Sequence, residues 1–471
     1  MCCVRTRGRR AVLRSYARGR PAVQGMKILL AYPYREDTYR KVGFILPPLG
    51  IAYIAAALRD NGHDVRIIDY NVTDERTDLG KYDVVGISVD TSRYKSSLRL
   101  AREARDAGCT VVMGGPHASF MDEEVLMTGL CDFVVREEGE KTMAEVADAI
   151  GTQRISDIKG ISYLKDGSLQ RNPSRGFSEH IDDLLPARDL LDMNAYRHLE
   201  MGGRKMTSIL TSRGCPFGCS FCCSTEFSGR KWRARSPEKV VDEIAGVVAH
   251  YGFDGIAFLD DNFTLDPDRV VHICDGIMDR RIDIYWWCFS RADTLLKNEH
   301  MVKKMAAAGC RYIFIGFESR HQKTLDSYNK KTTDTMAKDV TALLKKYGIS
   351  VHGSFIIGNI DETREMVMDT IRYAKEVDPQ AVQFTILTPY PGTQLYEDVK
   401  DRIVSRDWDL YDCLHSVIRT DHLGQRELEG LLKKAYLSFY LSPNKILAGL
   451  LSGVRGKGIK LSSILRIFRG L

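Results

Sequence analysis

Three cysteines near the middle of the chain stand at a metal-binding spacing: Thr211-Ser-Arg-Gly-Cys215-Pro-Phe-Gly-Cys219-Ser-Phe-Cys222, a C-x3-C-x2-C run. A structural zinc or a fully ligated iron–sulfur cluster takes four protein ligands. No fourth cysteine stands at a matching spacing, and Cys223 directly follows Cys222, a poor geometry for chelating the same group. Three thiolates on an iron–sulfur cubane leave one iron open to a small molecule, which is what catalysis requires. A zinc ion completed by a distant residue is the competing reading of the same ligands. Gly214 and Gly218 suit a loop that wraps closely.

The elements around this loop alternate. Before it, Lys27–Ala31, Val65–Asp69, Val84–Ser88, Val111–Met113 and Phe133–Val135 read as buried strands. Helical periodicity covers Gly50–Arg59, Ser96–Ala107 and Lys141–Ile150. This predicts a doubly wound parallel sheet of Rossmann-like type over 26–155, binding ligands beyond the carboxyl ends of its strands. Polar and Gly-containing turns such as Lys165-Asp166-Gly167-Ser168 mark a linker over 156–204. A second series follows: strands at Ser208–Thr211, Gly255–Leu259, Tyr285–Phe289, Tyr312–Gly316, Val351–Ile357 and Ala381–Leu387. Helix-like stretches such as Pro237–Tyr251 and Glu362–Val377 separate them. Six such units over 205–408 suit a partial (β/α) barrel with its site at the strand C-termini. From Asp409 to Leu471 the pattern becomes mostly helical.

Charge excludes one class of function. The first 25 residues carry seven arginines and no acid, and the last thirty carry six cations and no acid. Setting the leader's seven aside from the net charge of +6 leaves −1, and setting the tail's six aside leaves −7 for the body. That is no nucleic-acid-binding surface spread over a domain. The leader reads as unstructured, and a mis-assigned start codon with Met26 as the true beginning is the expectation, an organelle presequence being the alternative. No apolar run reaches the roughly 18 residues of a membrane-spanning helix. Apart from the triplet most of the twelve cysteines are scattered singly, which points to a reducing compartment, the cytoplasm.

The cysteine loop, with Phe221 before its last cysteine, resembles the signature of the radical S-adenosylmethionine superfamily. The resemblance implies a 4Fe–4S cluster on Cys215, Cys219 and Cys222 whose open iron chelates S-adenosylmethionine. Reductive cleavage then gives a 5′-deoxyadenosyl radical that abstracts hydrogen from an unactivated carbon. It implies S-adenosylmethionine contacts at Phe221, at Asp260 and Asn262 after the second strand, and at Arg291 after the third. Glu318 after the fourth strand and Gly358 after the fifth complete that set. An external one-electron donor such as flavodoxin or ferredoxin is implied as well.

The N-terminal domain is similar to the cobalamin-binding domain of a large subgroup of that superfamily. The matching pieces are Leu46-Pro-Pro48-Leu-Gly50, Asn61-Gly-His-Asp64, Gly114-Gly-Pro116-His117 and Glu137-Glu-Gly139-Glu140-Lys-Thr142. They imply cobalamin contacts at Pro48, Gly50, Ser88, Gly114, Gly115, His117, Glu137 and Gly139. No Asp-x-His-x-x-Gly loop is present, so no histidine is positioned as a lower ligand to cobalt, and His117 reads as a loop or packing residue. The expected reaction is cobalamin-dependent C-methylation of a small-molecule or lipid substrate. Radical cyclisation, coupling or oxidation of a lipid, isoprenoid or tetrapyrrole is the alternative. A non-catalytic cobalamin or lipid carrier is the reading from another class. The basic, apolar stretches Ile446–Leu451 and Ile459–Phe468 suit peripheral contact with an anionic membrane.

Overall fold

A computed structural model of the chain describes residues 25–35, 45–152, 154–443 and 445–446. The arginine-rich leader up to residue 24 and the tail from 447 onward lie outside the described residues, and so does the membrane-contact expectation built on that tail.

The first sheet has seven strands: β1 (Lys27–Tyr32), β2 (Asp64–Asp69), β3 (Val84–Ser88), β4 (Thr110–Gly114), β5 (Phe133–Val135), β6 (Ile161–Lys165) and β7 (Ser168–Arg171). Their order is β2-β1-β3-β4-β5-β6-β7. The first five pair in parallel and the last two antiparallel. Parallel strands are buried on both faces, which is why they read as continuous apolar runs. Ile28 and Leu30 of β1 enter one core, with helices Leu49–Asp60 and Glu140–Ala149. Leu29 and Ala31 enter the opposite one, with helix Tyr94–Asp106. Strand order reverses between β1 and β3, so the carboxyl ends there form a crevice.

The expected linker is different from its reading. Its first part is the β6–β7 hairpin, which extends the first sheet, and its Asp166-Gly167 corner has positive φ at both residues (51° and 79°). That is the backbone of the tight turn Asp-Gly favours between antiparallel strands. The hairpin's strands escape sequence reading because they are only five and four residues long and mix polar with apolar side chains. The later part is packed too. Arg188, 4 % exposed, donates to the Ser208 carbonyl at 2.7 Å and to Glu243 at 2.8 Å. The buried Tyr196 hydroxyl donates to Asp69 at 2.8 Å, tying this segment to the end of β2.

The second sheet begins with β8 (Glu200–Met201) and β9 (Arg204–Ile209), and a small hairpin of β10 (Ser212–Arg213) and β11 (Arg233–Ala234) stands apart from it. It continues through β12 (Gly255–Phe258), β13 (Tyr285–Ser290), β14 (Cys310–Glu318), β15 (Ser350–Ile357) and β16 (Ala381–Ile386). The order β16-β15-β14-β13-β12-β9-β8 is parallel from β9 to β16. It is an open half-barrel with a free edge at β16. An edge strand leaves backbone groups unpaired, and here helix Gln425–Tyr440 covers them. The Tyr436 hydroxyl accepts from Phe384 N at 3.1 Å and donates to Phe384 O at 2.9 Å. The Tyr440 hydroxyl does the same for Val382, at 3.0 Å each way. Four residues of helix rise about 6 Å and two residues of strand about 6.6 Å, so the spacings match. Tyr436→Phe strands a buried N–H and C=O together and is expected to cost about 1–3 kcal/mol. Urea unfolding and accelerated amide exchange at Phe384 check this.

Candidate functional site

The three cysteines sit on a loop with almost no core of its own, so other segments hold it. Entry is set by Asp260 at the end of β12. Its carboxylate, fully buried, accepts from Thr211 N at 2.7 Å, Thr211 Oγ1 at 2.5 Å and Ser212 Oγ at 2.6 Å. Burial raises the Asp260 pKa, while Arg269 and these donors pull it down. Arg269 also donates to the Thr211 carbonyl at 2.9 Å. At Gly214, φ is 82° and a Cβ would stand 2.5 Å from the Lys231 carbonyl oxygen. The close approach that requires glycine there is to the chain's own returning backbone.

The far side of the loop is held by residues more than 100 positions downstream, at the end of helix Gln322–Ser327 and just past it. Ser220 N donates to the Tyr328 carbonyl at 3.0 Å, and Asn329 Nδ2 to the Gly218 carbonyl at 2.8 Å. Phe221 meets the buried Tyr328 ring edge-on at 5.2 Å, with Lys330 Nζ 6.0 Å above the Phe221 ring. Cys215, Cys219 and Cys222 are all half-buried. Burial pushes the Cys215 thiol up to about 11. It also raises Cys219, against which Lys330 and Arg291 pull downward. The Cys223 sulfur lies toward the Pro391 carbonyl at 4.0 Å. Among the described residues no three His, Cys, Asp or Glu side chains are gathered as for a single metal ion.

Of the residues expected around S-adenosylmethionine, Phe221, Arg291 and Glu318 come together through Lys330, which the sequence reading missed. Lys330 Nζ donates to Glu318 at 2.6 Å, and the Lys330 carbonyl accepts from Arg291 at 2.9 Å. Arg291 also pairs with Asp293 at 3.0 Å and lies 3.8 Å over the Phe217 ring. Glu318 has φ of 63°, the left-handed region. Asn262 is 1 % exposed and its Nδ2 has no partner. The Asp260 carboxylate and the Gly358 N–H are both engaged within the protein. The Asp260 oxygens are taken as described, and the Gly358 N–H donates to Glu362 at 2.6 Å. No local motif marks Lys330, Tyr328 or Asn329; only the packing brings them to the loop.

The candidate cobalamin residues gather at the carboxyl edge of the first sheet. Ser88 ends β3, Gly114 ends β4, and Glu137 follows β5 with φ of 63°. Pro48 and Gly50 stand at the start of helix Leu49–Asp60, and a Cβ on Gly50 would meet nothing within 4 Å. Gly115 (φ 101°) and Gly139 serve close packing, on Val89 and Ile54. His117 is a correction: it is 1 % exposed, with ring centroids 4.4 Å from Tyr94 and 4.9 Å from Trp408. Its Nδ1 lies 3.2 Å from Thr91 Oγ1, and burial pushes its pKa down to about 4. It packs a later segment onto the sheet. The Glu137 carboxylate is likewise engaged, accepting from Ser174 Oγ at 2.8 Å. The two carboxyl edges face each other: Phe120, after β4, lies 6.4 Å from Phe227 in the short helix after the cysteines.

Two family models match the chain, the B12 binding domain over residues 37–147 and the radical SAM superfamily over 209–374. An uncharacterized methyltransferase of Pyrococcus horikoshii is 38 % identical over 90 % of this chain and 94 % of its own length. The chain belongs to the cobalamin-binding radical S-adenosylmethionine family. Within the family, the hopanoid C-3 methylase of Methylococcus capsulatus is 30 % identical, covering 88 % of this chain and 80 % of its own. The anaerobic magnesium-protoporphyrin IX monomethyl ester cyclase of Rubrivivax gelatinosus is 28 % identical, covering 88 % and 78 %. Among solved structures, the cobalamin-dependent S-adenosylmethionine radical enzyme OxsB with aqua-cobalamin and S-adenosylmethionine bound superposes with a TM-score of 0.73. It is 17 % identical and covers 95 % of this chain and 70 % of that one, a likeness of fold.

The residues present fit both family cofactors. A cluster finds three half-buried thiols, and at Cys219 the charges of Lys330 and Arg291 oppose the upward pull of burial and so work toward the thiolate. A corrin finds a sheet edge with the exposed, uncrowded Gly50 and the crevice between β1 and β3.

Behind Gly358, Glu362 is fully buried, with one oxygen unpartnered and its pKa pushed up by burial to about 7, against the pull of the Gly358 and Asn359 N–H groups. Its folded pKa lies above the ordinary 4.5, so the proton it holds adds stability in full below about pH 4.5. That contribution is lost as pH rises through about 7. Glu362→Gln is therefore expected to gain thermal stability relative to the parent between pH 5 and 8, measured by thermal midpoints of the cofactor-free protein.

Proposed function

We propose that this protein is a C-methyltransferase that places a methyl group on an unactivated carbon of a small molecule, with an apolar lipid or isoprenoid as the substrate class. When bound, the cluster supplies the electron that cleaves S-adenosylmethionine, and cobalamin supplies the methyl group. Cys215, Cys219 and Cys222 are the cluster ligands. Lys330 and Arg291 hold negative charge at the loop, and Asp260 orients the loop from below. Phe221, Asn262 and Glu318 line the S-adenosylmethionine side. Ser88, Gly114 and Gly50 line the corrin side.

The observation that carries this reading is the opposition of the two carboxyl edges, with Phe120 of one domain 6.4 Å from Phe227 of the other. A methyl donor on one edge and a radical source on the other would then face each other across this contact. A second reading, radical cyclisation, is favoured by the family resemblance to the magnesium-protoporphyrin ester cyclases. No helix among the described residues is long and apolar enough to cross a membrane. We place the enzyme in the cytoplasm, served by a flavodoxin- or ferredoxin-type donor, with its tail as the contact to a membrane that holds the substrate.

After anaerobic reconstitution with iron, sulfide and hydroxocobalamin, the protein is expected to retain a corrin chromophore and to release 5′-deoxyadenosine. Cys219→Ala is expected to lose cluster absorbance and cleavage while keeping the corrin. Methyl-labelled S-adenosylmethionine, incubated with a cell lipid extract, is expected to transfer label to product. Release of 5′-deoxyadenosine with a modified but unlabelled product would move the assignment to cyclisation or oxidation.

A further inference from the structure

The run Glu137-Glu138-Gly139-Glu140 resembles a corrin-contacting motif, yet two of its carboxylates are spent on the other domain. Arg213 and Arg233 are directly opposite each other in the β10–β11 pairing. Like charges in that position repel. They are answered by acids from the first domain. Glu138 Oε1 lies 2.7 Å from Arg233 Nη1 and 3.3 Å from Arg213 Nη1. Glu140 Oε1 lies 2.6 Å from Arg213 Nη2. The four side chains are between 3 % and 15 % exposed. The remaining bonding capacity is used as well. Glu138 Oε2 accepts from Ser178 N at 3.0 Å. Arg233 donates to the carbonyls of Ser178 at 3.0 Å and Ser228 at 2.9 Å, and Arg213 lies 5.0 Å over the ring of Tyr53 in the first domain.

The two arginines bracket the cysteine loop. Arg213 stands two residues before Cys215, and Arg233 follows the loop's return. One pair of carboxylates therefore grips both ends of the segment that carries all three thiols. We propose that Glu138 and Glu140 are positioning residues that make the order of the cysteine loop conditional on docking of the first domain. Without them two opposed, largely desolvated guanidinium groups lose their counter-charges, and the hairpin that closes the loop opens. Correct placement of the corrin-binding domain and correct geometry of the cluster loop thereby become one event. The inference rests on the proposed function only in taking this loop as the cluster's seat.

The test is amide hydrogen exchange on the full-length, cofactor-free chain. In Glu138→Gln/Glu140→Gln, peptides spanning 212–234 are expected to exchange at least about tenfold faster than in the parent. Those covering β1 to β5 and β12 to β16 stay within about twofold of the parent, since their bonds are untouched. The single Glu140→Gln, which removes only the nearer of the two carboxylates on Arg213 and leaves Arg233 paired, is expected to give a smaller acceleration confined to the same peptides. Glu138→Asp/Glu140→Asp, which keeps both charges, is expected to restore most of the protection. After reconstitution, the double Gln variant is expected to keep the parent's corrin absorbance and to show a broadened electron paramagnetic resonance signal from its reduced cluster. Unchanged exchange over 212–234, acceleration spread evenly across the first sheet, or no recovery in the Asp pair would each overturn the proposal. Exchange is read without cofactors, so a parent that makes no 5′-deoxyadenosine would count against the proposed function and leave this result standing.

Discussion

A buried carboxylate sets the geometry on which the candidate site depends. Asp260 is fully buried at the end of β12, and its oxygens gather Thr211 N, Thr211 Oγ1 and Ser212 Oγ where the chain leaves β9. A desolvated carboxylate is tolerated only when its lone pairs are met. Those bonds, with Arg269 on the Thr211 carbonyl, therefore fix the direction in which the cysteine loop departs. The loop cannot supply this from its own residues. Its apolar side chains are few, and the three thiols are held half-buried by bonds that arrive from β12, from residues 327–330 and from the first domain.

The architecture follows from the same economy of edges and ends. Both sheets are parallel where they work, so both present carboxyl ends at one side, and ligands bind beyond such ends. Each sheet also has an edge to protect. The first is extended by the β6–β7 hairpin, and the second is sealed by two tyrosine hydroxyls spaced one helical turn apart. A later segment is fastened to the first domain, with Trp408 donating to Glu124 at 2.8 Å and packing on His117. The half-barrel's continuation thus wraps back onto the domain that precedes it.

Much of this was legible along the chain. Helix Pro237–Tyr251 falls where its periodicity placed it, and the parallel strands of both sheets fall within a few residues of their apolar runs. The Asp166-Gly167 turn was legible as a turn, while its two strands were not, because strands of five and four residues that mix polar and apolar side chains carry no continuous apolar run to detect. Arg291 and Glu318 were found by their places at strand ends. Lys330, which links them, stands in a loop with no motif, and only the close packing of residues 327–330 on the cysteine loop brings it there.

What the sequence determined by itself was chemical identity. Three thiols at C-x3-C-x2-C, and glycines and carboxylates at the ends of buried strands, are properties of residue type and local spacing. What only the tertiary structure decided was how each charge is spent. Asp260 had the right position for a ligand contact, yet its oxygens close on backbone and hydroxyl groups of the neighbouring strand. Glu138 and Glu140 stood in a corrin-like motif, yet they neutralise two arginines across a domain boundary. A carboxylate's partner is set by which opposite charge or donor the fold brings within about 3 Å, and that distance is not encoded in neighbouring residues.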